Sequence, residues 1–152
     1  MQFDRLPKVD DYQFYLDVAI TRARLRADEL AATIKKQPPV QMAKRIELSH
    51  IQVVANTLKS KLLGIVSKFP GVSELDPFYQ ELIAISIDLD QYRKSLAAIK
   101  WAADKLDDIS KNALWKVKGA QSVSDATGAR KSFYGRASSI MKQVKKDFAI
   151  LE

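Results

Sequence analysis

Cysteine is missing from all 152 residues, which removes disulfide frameworks, thiolate metal sites and thiol nucleophiles together. One histidine, His50, leaves little room for imidazole chemistry. Glycine and proline number only 5 each, so turns are few and long helices are favoured. No apolar run approaches the roughly 20 residues needed to cross a bilayer. The opening MQFDRLPKVDDY carries acids where a signal peptide would have its apolar core, so no membrane association is expected and the chain is placed in the cytoplasm. No glycine-rich phosphate loop of the form GxxxxGK[ST] occurs either.

What remains is 47% hydrophobic and 28% charged, the composition of a folded domain large enough to bury one core. Lys and Arg number 25 against 18 Asp and Glu, a net charge of +7. That charge is polarised. It amounts to +1 over residues 1–36, +4 over 37–70, −4 over 71–108, +2 over 109–128 and +4 over 129–152. A basic end with an acidic middle suggests a face that meets an anionic partner, with nucleic acid the natural one; the alternative is an ordinary solvated helical surface.

The apolar residues recur at steps of three and four, which is helical spacing. Residues 1–10 read as an extended lead, with Asp10 or Asp11 able to cap the first helix. That helix, from Tyr12, carries Leu16, Ala19, Ala23, Ala27, Leu30 and Ile34 on one side until Pro38 and Pro39. A second runs from about Met42 to Phe69, and a short third begins after the Asp76-Pro77 cap and reaches about Ile87. A fourth carries Leu96, Ile99, Ala103, Leu106, Ile109 and Val117 and stops near Gly119. GAQSVSDATG then reads as a loop. The terminal helix starts between Asp125 and Ala129 and buries Phe133, Ala137, Ile140, Val144, Phe148 and Leu151 without a break. No strand pattern appears. The expected fold is a single all-α domain, an antiparallel bundle of four long helices and one short one, and monomeric.

On the terminal helix Lys131, Gly135, Ser138, Lys142 and Lys145 lie about 160 degrees from the apolar stripe, at roughly 100 degrees per residue. Small side chains let a phosphate backbone approach while flanking cations neutralise it. Arg136 falls nearer the stripe's edge, where its guanidinium either projects outward or pairs with the acidic segment. Of Arg22, Arg24 and Arg26, only the first and last share a face. Lys44 and Arg45 place cations at a helix N-terminus, slightly against the macrodipole, which hints at a use beyond stability. Glu47 and His50 have metal-ligand spacing, but such bundle sites need a second copy that one histidine cannot supply. Asp104, Asp107 and Asp108 read as a charged face with Lys105 and Lys111. Trp101 and Trp115 lie on nearly the same face, with core packing or helix contact expected over base stacking.

Several stretches, taken in order, carry a resemblance: Leu6-Pro7; Phe69-Pro70 followed by Leu75-Asp76-Pro77-Phe78-Tyr79 and Leu82-Ile83; Arg93-Lys94-Ser95-Leu96 with Trp101-Ala102-Ala103; and Phe133-Tyr134-Gly135-Arg136 with Ser139-Ile140-Met141-Lys142. Together they resemble the N-terminal helical domain of the nucleolar GTP-binding protein family, Nog, an Obg-related group, in its archaeal form. The resemblance implies a domain preceding a Ras-like GTPase and working in large-subunit maturation in contact with ribosomal RNA. The family's GTPase motifs have no counterpart in these residues, so no enzyme activity and no cofactor are expected here; GTP and Mg²⁺ belong to the full-length parent. The family's Gly-Arg pair falls on Gly135 and Arg136.

The sequence thus nominates an rRNA-binding bundle that docks on the maturing large ribosomal subunit. Its expected contacts are Arg130, Lys131, Gly135, Arg136, Lys142, Lys145 and Lys146, with Lys44 and Arg45 contributing. The alternative is a protein-interaction bundle whose acidic face holds its own absent GTPase domain or a ribosomal protein.

Overall fold

A computed structural model describes residues 10–33, 37–68 and 89–151. Five helices occupy them: α1 Tyr12–Thr33, α2 Pro39–Lys68, α3 Leu89–Lys118, α4 Val123–Gln143 and α5 Lys145–Leu151. No strand occurs among the described residues. The short helix expected after Asp76-Pro77 and the lead up to Val9 lie outside them.

The proline pair opens α2, with Pro39 as its first residue. A first-turn proline has the backbone angle a helix needs and no N–H to leave unpaired, and Met42 N–H donates to the Pro38 carbonyl at 3.1 Å. The expected loop after Gly119 shrinks to four residues. Ser122 caps α4 by accepting from the Asp125 N–H at 3.0 Å, so Ser-Asp-Ala-Thr-Gly, loop-like in composition, is helical. The cap outweighs the weak propensities of the first turn.

The terminal helix is not continuous. At Val144 (φ −102°, ψ 14°) its N–H turns to the Lys142 and Met141 carbonyls, and a new helix begins at Lys145. This reorientation brings Asp147 beneath α3, where the buried Ser95 hydroxyl donates to its carboxylate at 3.0 Å. It also drives Phe148 against Tyr15 of α1, ring centres 5.5 Å apart.

Side-chain pairs give the helix directions. Lys59 meets Asp107 and Lys44 reaches the Lys118 carbonyl, so α2 and α3 run antiparallel. Glu47 meets Arg130 and His50 meets Tyr134, so α2 and α4 run parallel. One core joins them, with Ala19 and Ala23 of α1, Leu58 and Leu62 of α2, Ile99 and Leu106 of α3 and Phe133 of α4 all buried. Alanines at every fourth residue let α1 approach α2 closely, the way small residues set interhelical distance. Truncating Leu58 or Leu62 to Ala would cost about 2–5 kcal/mol.

Candidate nucleic-acid interface

The buried stripe of α4 is Ala126, Phe133, Ala137, Ile140 and Met141. Helical geometry then turns Lys131, Ser132, Gly135, Ser139 and Lys142 outward, and Lys131, Gly135 and Lys142 are exposed. Ser138, expected with them, is half-buried. Lys145 and Lys146 on α5 are exposed as well.

Gly128 and Gly135 lie mid-helix, and a Cβ built on either meets nothing within 4 Å. Glycine inside a helix costs about 1 kcal/mol relative to alanine, and neither position recovers that through close packing within the molecule. Between α4 and the end of α3 an open cleft of about 460 Å³ is lined by Lys116, Gly119, Ala120, Ser124, Asp125, Gly128, Ala129 and Ser132. Arg136 lines a separate, much smaller pocket beside Asn112, which shares Lys116, Ala129 and Ser132 with the cleft. Its guanidinium has no carboxylate partner among the described residues; of the two roles open to it, outward projection is the one adopted.

Arg130 differs from the other nominated cations. It faces inward, its Nε donating to the Glu47 carboxylate, with side-chain exposures of 23% and 9% for the two partners. Its guanidinium also lies 5.4 Å from the centre of the Tyr134 ring, a cation–π arrangement. The Tyr134 hydroxyl is in turn 3.0 Å from His50 Nδ1. Thus Arg130 neutralises a buried acid in a seam between α2 and α4, because position 130 lies on the inner side of the helix where 131 lies on the outer. Glu47 and His50 are both engaged in the seam, with Arg130 and Tyr134 respectively, and no group of three or more His, Cys, Asp or Glu placed to hold a metal ion occurs among the described residues.

Burial in this seam pushes the His50 imidazole below its ordinary value, helped by Arg130 and Arg24 and opposed by Glu47 and Asp28. Burial likewise raises the Tyr134 hydroxyl, with Arg130 and Arg24 opposing and Glu47 adding. At neutral pH the imidazole is therefore uncharged.

Lys44 has a structural task. Its ammonium donates to the Lys118 carbonyl at 2.9 Å, closing the negative end of the α3 dipole; that explains a cation in the first turns of α2. Arg45 beside it is exposed. Arg26 pairs with Glu29 at 3.3 Å on the surface. The acidic trio is largely compensated. Asp107 binds Lys59 at 2.6 Å and Lys111 at 3.0 Å, and the hydrogen bond from Lys59, then that from Lys111, holds its carboxyl below the usual range. Asp104 pairs with Lys100 at 3.1 Å.

The tryptophans correct the sequence expectation of core packing. Trp101 is 44% and Trp115 76% exposed. The sequence holds the signal, because Trp115 lies about 180 degrees around the helix from the buried Leu106 at roughly 100 degrees per residue. Size alone favours a buried aromatic, and angular position overrules size.

No helix among the described residues is long and apolar enough to cross a membrane. Among known proteins, the chain is 26% identical over 137 residues to an uncharacterized protein of Methanocaldococcus jannaschii, covering 89% of this chain and 39% of that protein. It is 25% identical over 150 residues to nucleolar GTP-binding protein 1 of Caenorhabditis elegans, covering 99% and 22%, and 20% identical over 147 residues to the Saccharomyces cerevisiae protein of that name, covering 97% and 22%. The chain thus spans between about a fifth and two fifths of the length of these curated relatives. Residues 3–152 match the NOG1 N-terminal helical domain. A helical architecture, the helix-by-helix placement of the motif residues from Arg93 to Lys142 and a match over nearly the whole chain agree: this chain belongs to the NOG1 N-terminal helical domain family.

Proposed function

We propose that this domain binds ribosomal RNA and docks a ribosome-biogenesis GTPase on the maturing large ribosomal subunit. The observation that carries the reading is the outer side of α4 and α5. There Lys131, Lys142, Lys145 and Lys146 are exposed and lack a carboxylate within ion-pair distance among the described residues, beside two glycines with open space above them. A polyanion releases condensed counterions when such lysines replace them, so affinity comes from this face and falls with salt. Arg136, with its planar fork, grips a phosphate bidentately where the lysines act as point charges. Lys44, tied to α3, and Arg45 lie toward the Lys116–Lys118 end and extend the basic surface. Arg130 supports α4 from behind.

The relatives are named for binding GTP; in this reading GTP and Mg²⁺ are held by a GTPase domain of the full-length parent, and this domain contributes recognition without catalysis. It acts as a monomer, in the nucleolus of a eukaryotic host or the cytoplasm of an archaeal one. The protein-docking alternative rests on the acidic middle, where Asp104 and Asp107 are already paired within the chain.

The test is a salt titration of binding to large-subunit rRNA fragments with Lys131, Lys142 and Lys145 all changed to Ala. Each lost phosphate contact lowers the slope of log K against log salt by roughly 0.7 to 0.9. The triple variant is therefore expected to lose about two to three from the slope, with each change moving stability by less than about 0.5 kcal/mol. An unchanged slope in a folded variant would return the face to an ordinary solvated surface.

A further inference from the structure

Both tryptophans of the chain stand on the outside of α3. They are 14 positions apart, so their side chains lie within about 40 degrees of one another and about 21 Å apart along the axis, at 1.5 Å and 100 degrees per residue. Neither ring stacks on another aromatic among the described residues. An indole 76% exposed adds nothing to the core and keeps apolar surface in water. The fold therefore does not explain Trp115, and it covers Trp101 only in part, leaving it 44% exposed.

The neighbouring charges say what kind of partner it fits. Trp115 shares its side of α3 with Lys118 and with Lys111, which is tied to Asp107 at 3.0 Å, and Lys116 opens onto the adjoining cleft. Among the described residues neither Lys116 nor Lys118 has a carboxylate partner. Trp101 has Lys105 one turn on. Between the rings lie Asp104, Asp108 and Lys111 instead of apolar side chains. A protein-binding hot spot is a contiguous apolar centre depleted of charge, which this is not. Isolated aromatic rings with an uncompensated lysine close to each, Lys105 by Trp101 and Lys118 by Trp115, are what single-stranded nucleic acid uses: bases stack on the rings and phosphates lie against those lysines.

We propose that Trp101 and Trp115 stack unpaired bases of RNA, so that a strand held by its phosphates along α4 is also held by its bases on α3. This rests on the rRNA-binding reading above and adds the class of RNA: a single-stranded segment, loop or bulge. A duplex, whose bases are already stacked, would reach only the lysines.

Because the chain holds just these 2 tryptophans, intrinsic fluorescence reads this face alone. The full chain is titrated with a short mixed-sequence single-stranded RNA, with the same RNA annealed to its complement, and with heparin, a polyanion without bases. The single strand is expected to quench the emission to saturation. Heparin and the duplex are expected to bind with little quenching. Trp115→Ala should weaken single-strand binding about tenfold, the size of one lost base stack, with circular dichroism unchanged. Trp115→Phe should keep most of the affinity and leave Trp101 as the sole reporter.

Salt-sensitive RNA binding that neither quenches nor responds to Trp101→Ala and Trp115→Ala would overturn the stacking and leave the phosphate contacts of α4 standing. Equal quenching by the duplex would overturn it too. Failure to bind any of the RNAs at low salt would remove both proposals together.

Discussion

Two adjacent faces of α4 carry similar residues and do opposite things. On the inner side Arg130 is bound to Glu47 and lies against Tyr134, which in turn reaches His50. On the outer side, one position later, Lys131 is exposed beside Ser132 and Gly135 with no carboxylate in reach among the described residues. Net charge does not distinguish the two. What does is whether the charge is already compensated within the molecule, because a paired, half-buried guanidinium has lost the solvation and the freedom that a phosphate contact would draw on.

The sharpest way to break this comparison is Arg130→Ala. It leaves the buried carboxylate of Glu47 without its cation, and removing one partner of a buried pair costs about 3–5 kcal/mol. Since Arg130 retains 23% exposure, water offsets part of that, and a loss of about 2–3 kcal/mol is expected. For a domain of this size, thermal melts should show a midpoint lower by roughly 4–12 °C. At a temperature where the variant is folded, the salt slope of RNA binding should match the parent's. A reduced slope with an unaltered melt would mean that Arg130 touches phosphate after all.

The partition between these faces is only partly legible in the sequence. Periodicity places Phe133, Ala137 and Ile140 inside and Lys131, Gly135 and Lys142 outside, and the structure agrees. It cannot show that Glu47, 83 residues from Arg130, faces it, because cross-helix pairing depends on the relative register of α2 and α4. The same limit hides Lys59 with Asp107 and Lys44 on the Lys118 carbonyl. Other features are readable but outweighed. Ser122 with Asp125 three residues on is a capping pattern inside a stretch whose Gly, Ser and Thr content suggests a loop. The exposure of the tryptophans comes from angle alone. The break at Val144 has no local marker such as Pro or Gly; it goes with the packing of Phe148 and Asp147 under α1 and α3.

A smaller effect sharpens the outer side. Gly135→Ala adds a methyl that meets nothing within 4 Å, so the folded state loses no packing while the unfolded chain loses freedom. Stability should rise by about 0.4–1 kcal/mol. If the glycine is there to let a backbone approach, RNA affinity should fall as the melt rises. Opposite movement of the two readouts is the expected result, and parallel movement would detach Gly135 from the interface.

The smallest effect separates the two faces by pH alone. His50 faces Tyr134 and Arg130 of α4, Arg24 and Asp28 of α1, and Glu47 on its own helix, and burial depresses its imidazole below the ordinary 6.5. As a base with a lowered folded-state value, it binds more protons in the unfolded chain than in the fold once the pH drops below about 6.5. Stability from this group is therefore complete at neutral pH and declines as the pH falls from the unfolded value toward the lower folded one. The melting midpoint should drop between about pH 7.5 and 5.5, a window that brackets the ordinary imidazole value, and His50→Gln should remove most of the drop there. The outer face carries no histidine, so the salt slope of RNA binding should be the same at both pH values while the protein remains folded. A slope that steepened on acidification would show His50 joining the interface and erase the division between the paired seam and the open face.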